Sequence, residues 1–171
     1  MGATTLLTFE QFEQLPEAVG KRELIDGEVI EMPPPKFRHT KVAQRLYDTL
    51  RAAAPGERTL QEAGYRIGGG WVQPDVSVTR TNHPLDAGYL IGAPALAIEI
   101  LSPRNTAGQI ERKLTLYFSE GADEVWVADP DKGSMTVYRR VGEEVHRLTV
   151  GDRYAASSFD VTVVLDQLFA V

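Results

Sequence analysis

Apolar residues recur along this chain in two rhythms, one of three and four positions and one of two. Phe9, Phe12 and Leu15 follow Thr8, which has Gln11 three residues beyond it. That is the signature of a short helix opened by a capping box, bracketed at its end by Pro16 and Gly20. The segment "RELIDGEVIEM" places apolar-rich arms on either side of Asp26-Gly27, a two-residue hairpin signal, and the prolines at 33–35 end it. Val42, Leu46 and Leu50 recur every four positions, with Ala43, Tyr47 and Ala54 beside them. This spacing predicts a helix over 37–54, stopped by Pro55-Gly56. "TLQEAGYRI" and "WVQPDVSVT" read as strands around Gly68, Gly69 and Gly70, and 80–94 as a polar, Gly/Pro-containing loop. Residues 95–101 form a strand apolar on both faces, followed by a helix from about 106 to 119 and a second buried strand, "DEVWVAD". "SMTVYRR" and "EVHRLTV" pair as a hairpin across Val141-Gly142, and "FDVTVVLDQLF" closes the chain with a strand and a helical turn.

The strand–helix–strand unit at 95–129 requires a parallel pair with a right-handed crossover. The expected fold class is therefore α/β or mixed α+β. We expect a single mixed β-sheet flanked by helices, forming one domain over 1–171.

Composition narrows the function classes. The chain has 171 residues, with 43% hydrophobic and 25% charged residues, the balance of a globular protein able to bury its own core. No run of about 18 apolar residues exists to span a membrane, and the first residues lack the basic and apolar regions of a signal peptide. Cysteine is absent, which excludes disulfides, thiolate metal sites and a cysteine nucleophile. A cytoplasmic location is the resulting expectation. The net charge of −6 argues against a protein coated in positive charge for nucleic acid.

One residue breaks the hydrophobic pattern. Glu99 sits inside "ALAIEIL", where an isolated carboxylate is costly unless protonated, paired or bound to a metal. Alternation puts it on the face of Ala97 and Leu101, opposite Ile98 and Ile100. Asp75, in "VQPDVSV", is a second lone carboxylate among strand formers, beside a proline that interrupts pairing. A divalent cation such as Mg²⁺ or Mn²⁺ would relieve the repulsion between two such acids. Lys113 is the third candidate, because Ile110, Lys113, Leu114 and Tyr117 have the spacing of a buried helical stripe. The same residues also suit a bland reading: an ion pair of the acids with Lys113 or an arginine, and a lysine stem covering the edge of the stripe.

In order and context, Pro74-Asp75, Glu99 and Lys113 resemble the PD-(D/E)xK nuclease superfamily, with its restriction-endonuclease-like fold. More closely, "RELIDGEVIEMPPP", "QPDVSV", "LAIEILSP", "RKLTLYFSEGADEVWVADP" and "VYRR" resemble the Uma-type family of bacterial endonucleases, from about residue 8 to the C-terminus. The resemblance implies a Mg²⁺-dependent endonuclease acting on DNA, with Mn²⁺ able to substitute. Asp75 and Glu99 would hold the metal, with the backbone carbonyl of Ile100 as a further ligand, and Lys113 would steady the attacking water or the transition-state charge. Glu23 matches a recurrent family acid and takes a secondary role, as ligand to a second metal or orienter of Lys113; the alternative is an exposed strand acid. Gln73, two residues before Asp75, is a supporting candidate. Two positions depart from the pattern. Leu101 stands where the superfamily commonly has its lysine, and Gln109 stands where the family often has an acid four residues before Lys113.

Residues 36–58 carry six basic side chains (Lys36, Arg38, Lys41, Arg45, Arg51, Arg58) against Asp48 and Glu57. Arg38, Lys41 and Arg45 share a helical face and, with His39, are candidates for phosphate-backbone contact. A solvated helix face is the competing reading. His83 and His146 receive no role, and the three histidines lack zinc-site spacing. Gly68 to Gly70 lack the Lys-Ser/Thr of a phosphate loop. The alternative to an active nuclease is a catalytically inactive nuclease-fold module that binds nucleic acid or protein, or a subunit whose acidic pocket is incidental. A homodimer, or a higher homo-oligomer, is expected, with the late hairpin as its interface.

Overall fold

The computed structural model describes residues 6–53, 58–86 and 88–170. Helix α1 (Phe9–Glu13) opens with the expected capping box: the Gln11 amide donates to Thr8 Oγ1 at 3.3 Å and the Thr8 amide to Gln11 Oε1 at 2.9 Å. Strands β1 (Lys21–Ile25) and β2 (Glu28–Met32) form the expected hairpin. Asp26 and Gly27 take φ of 51° and 80° at its turn, the left-handed pair that matches strand twist. Helix α2 spans Phe37–Ala53 and buries Val42, Ala43, Leu46 and Leu50. Ala54 and the Pro55-Gly56 stop lie outside the described residues.

The next segment corrects the single expected sheet. "TLQEAGYRI" divides into β3 (Thr59–Gln61) and β4 (Tyr65–Ile67), and "WVQPDVSVT" into β5 (Gly70–Val72) and β6 (Val76–Val78). β3 pairs with β6 and β4 with β5 in one continuous register, so these are two ends of a single hairpin bent at its middle. The corner has local causes. Glu62 has a φ of 50°, a Cβ on Gly64 would overlap the Trp71 ring, and Pro74 withholds a ladder donor. Each end of the bent hairpin joins a different six-stranded sheet.

The expected loop at 80–94 contains two short strands, β7 (Leu85–Asp86) and β8 (Tyr89–Ile91). They complete the first sheet, in the order β2-β1-β5-β4-β8-β7. The second sheet is built around β9 (Leu96–Ile100) and β10 (Glu124–Asp129), with β11 (Ser134–Val141) and β12 (Glu144–Thr149), in the order β12-β11-β10-β9-β6-β3. β9 and β10 are parallel, joined by helix α3 (Ala107–Ser119), as the crossover argument requires. A strand without a sequence counterpart, β13 (Arg153–Ala156), pairs with β14 (Val161–Val164) ahead of helix α4 (Leu165–Phe169). The mixed α+β class holds, with two sheets and a small hairpin in place of one sheet.

Alternation along β9 gives each face of the second sheet its own core. Leu96, Ile98 and Ile100 pack with α2, Trp126, β13–β14 and α4. Ala97, on the opposite face, packs with Tyr117 of α3, Val125 and the Tyr65, Ile67 and Val72 side chains of the first sheet. Each fully buried leucine such as Leu46 or Leu50 contributes roughly 1.5–3 kcal/mol. These two cores fix the corner of the bent hairpin against the C-terminal half of β9.

Candidate active site

Asp75 lies at the corner, one residue before β6, and Glu99 lies on β9 beside it. The Asp75 amide donates to the Ile98 carbonyl at 3.0 Å. The Ile100 amide donates back to Asp75 Oδ2 at 2.7 Å. Because Leu101 directs its amide to Ala128 on β10, strand alternation turns the Ile100 amide and carbonyl toward the Asp75 side. Both acids and Ile100 line one cavity of about 750 Å³. The two carboxylates predicted from distant parts of the sequence therefore converge.

Around them stands a network of buried charge. Lys113 Nζ donates to Glu99 Oε2 at 2.6 Å and to Glu23 Oε1 at 2.9 Å. Tyr117, one turn further along α3, donates its hydroxyl to Glu99 Oε1 at 2.7 Å. Glu23 is only 1% exposed, so it is no surface acid. Its Oε1 also accepts the Gln73 amide at 2.8 Å, which ties β1 to the corner. The Gln73 side chain turns away and donates to the Glu62 carbonyl at 3.3 Å. Lys113 does not line the cavity; its ammonium lies behind Glu99.

Lys21 is the member of the site that sequence reasoning missed. Its Nζ donates to Asp75 Oδ1 at 3.1 Å and lies 3.9 Å from Glu23 Oε1, with its side chain on the cavity wall. A sequence signal exists in retrospect, since Lys21 and Glu23 stand two apart on one strand and so share a face. Tyr117 was legible only as an apolar stripe residue.

These contacts set the ionisation of the acids in opposite senses. Burial pushes the Asp75 carboxyl up, but the Lys21 ammonium, His39 and the Ile100 amide hold it well below the ordinary carboxylate range. Burial pushes Glu99 up, and Glu23 and Asp75 add to this; Lys113 and Lys21 offset only part of it. Burial alone would lower Lys21, yet Asp75, Glu99 and Glu23 together raise it, so it stays an ammonium. Tyr117 is raised by burial and by Glu99 and remains a donor.

The basic candidates separate. Arg38 and His39 line the cavity, and His39 Nε2 lies 3.4 Å from Asp75 Oδ2. Lys41 is exposed, with its Nζ 5.6 Å from the centre of the Phe37 ring. Arg45 corrects the expected phosphate-binding face: its guanidinium donates to the Leu168 carbonyl at 3.0 Å and to the Ala170 carbonyl. It pins the C-terminal helix onto α2 instead of facing solvent with Arg38. Gln109 also has a local task. Its Oε1 accepts the Thr106 amide at 3.0 Å and closes the capping box of α3.

No group of three or more His, Cys, Asp or Glu able to hold a metal occurs among the described residues. A Mg²⁺ site needs less, because this ion keeps several waters and binds through one or two carboxylates. Asp75 and Glu99 on one cavity wall, with Ile100 turned the same way, form such an oxygen donor set. The residues present fit a hard divalent cation.

Comparison with known proteins bears on the same segments. Residues 9–166 match the model of the Uma2 family, described as "Putative restriction endonuclease". A crystal structure of a "putative nuclease belonging to DUF820" from Anabaena variabilis superposes with a TM-score of 0.82 at 25% identity, covering 96% of this chain and 98% of that one. No curated protein matches the chain. Among the described residues, no helix is long and apolar enough to cross a membrane.

Proposed function

Given that the chain belongs to the Uma2 family, we propose that it is a Mg²⁺-dependent endonuclease that hydrolyses DNA phosphodiester bonds at the Asp75–Glu99 wall. The observation that carries this reading is the convergence of two buried carboxylates from separate strands on one cavity. Asp75 and Glu99 would hold the metal, with the Ile100 carbonyl beside them. A divalent ion held there supplies Lewis acidity toward a phosphate and lowers the pKa of water. The chain's own residues do the positioning. Lys113 and Tyr117 fix both oxygens of Glu99, and Glu23 anchors Lys113 to the corner through the Gln73 amide. Arg38 and Lys36, exposed on the cavity rim, would draw in the phosphate backbone.

A second reading is a catalytically inactive nuclease-fold module that binds nucleic acid or protein. Two observations favour it. Every carboxylate oxygen of Asp75 and Glu99 already accepts a hydrogen bond from the protein, and the net charge is −6. Nicking of supercoiled plasmid in Mg²⁺, Mn²⁺ and EDTA, by wild type, Asp75→Ala and Glu99→Gln, separates the two. The nuclease reading predicts cleavage that needs metal and is lost in both variants. Cleavage that survives Asp75→Ala refutes the site, and binding without cleavage under every metal establishes the inactive module.

A further inference from the structure

The site holds two lysines in unlike situations. Lys113 is wedged between two acids at 2.6 and 2.9 Å, with a side chain 6% exposed and no surface on the cavity. Lys21 has one short contact, to Asp75, and a longer one to Glu23; its side chain is 15% exposed and lines the cavity. Moving Lys113 would strand Glu99 and Glu23 together in the core. Moving Lys21 would strand only Asp75, and only if no other cation arrived.

We propose that Lys21 is an exchangeable cation: it neutralises Asp75 while the site lacks a metal, yields that acid to a divalent ion, and swings into the cavity to meet a substrate phosphate. This rests on the nuclease reading above and adds to it a lysine that no family pattern supplied. Three facts support the exchange. Asp75 Oδ1, the oxygen Lys21 holds, belongs to the acid that also takes the Ile100 amide on its other oxygen, so the carboxylate keeps its orientation when Lys21 leaves. The lysine stem is flexible and its ammonium is a compact point charge, and the open side of the cavity lies next to it. A divalent ion on Asp75 repels an ammonium at contact distance and attracts the phosphate to which that ammonium can then turn. Lys21 is a catalytic residue on this account, because it touches substrate, whereas Lys113 is a positioning residue.

The test uses the full chain and Mn²⁺ as probe. Calorimetry without DNA should give Lys21→Met a Mn²⁺ affinity about tenfold higher than wild type, since the competing ammonium is gone. Plasmid cleavage at saturating Mn²⁺ should fall by at least about tenfold in Lys21→Met and be partly restored in Lys21→Arg, which keeps the charge. Equal or weaker Mn²⁺ binding by Lys21→Met, or unimpaired cleavage, overturns the exchange. If Lys21→Met does not fold, amine-reactive labelling of wild type decides. Mn²⁺ should raise labelling of Lys21 and leave Lys113 unchanged; no rise at Lys21 overturns the proposal. Exchange seen by binding and labelling without any cleavage would support the cation swap while removing the nuclease reading. Cleavage that needs metal, with unchanged Lys21 labelling, would do the reverse.

Discussion

Lys113→Met is the sharpest perturbation of this fold, because it removes one charge and almost no volume. Methionine keeps most of the unbranched stem, so no large cavity term enters. What disappears is the ammonium between Glu23 Oε1 and Glu99 Oε2, at 2.9 and 2.6 Å, with all three residues at most 5% exposed. Breaking a buried pair by removing one partner costs about 3–5 kcal/mol, since it leaves uncompensated charge in the core. For a chain of this size each kcal/mol shifts Tm by roughly 2–4 °C, so a fall of about 6–20 °C is expected. The assay is urea unfolding in EDTA, so that no metal replaces the lost cation. Glu23→Gln combined with Lys113→Met removes one of the stranded acids. It should therefore cost less than the sum of the single variants by at least about 1 kcal/mol. A single-variant loss below about 1 kcal/mol, or strict additivity, would refute the buried network as described.

Ionisation and surface charge give further expectations. The Asp75 carboxyl is held low, so its stabilising contribution is full above roughly pH 4 and fades as pH falls toward its folded value; the deficit of Asp75→Asn should shrink in acid. Glu99 is raised, so the folded state loses stability as pH climbs above its unfolded value of about 4.3; thermal melts should show Glu99→Gln gaining on wild type between about pH 4 and 7. Arg45→Ala should cost about 1 kcal/mol through its lost carbonyl contacts while leaving the salt slope of DNA binding unchanged. Arg38→Ala should leave stability unchanged and lower that slope by about one, as fluorescence anisotropy across a salt series would read.

The parts of the fold that local pattern controls were legible in the sequence. The capping boxes at Thr8 and Thr106, the Asp26-Gly27 turn, the α2 stripe and the parallel crossover through α3 all depend on neighbours a few residues away. The second sheet was not legible, because the bend at Glu62 and Pro74 divides two strands whose sequences read straight through. β13 was missed for a related reason: "RYAA" is short, and only its pairing with β14 makes it a strand. In the site, Asp75 and Glu99 were visible as charges misplaced in apolar runs. Lys21 was not, since a charged residue at the start of a hairpin is unremarkable until β1 is known to lie against the corner. Arg45 misled because helical spacing gives a face but does not show what α4 places on it.

The central claim is that Asp75 and Glu99 together hold a divalent cation at the cavity wall. Anomalous diffraction from Mn²⁺-soaked crystals of the wild-type protein tests it most directly. The account predicts one strong peak within coordination distance of both carboxylates, lost in Asp75→Asn. No peak there, or a peak bound elsewhere on the surface with the Lys21–Asp75 contact intact, would contradict it.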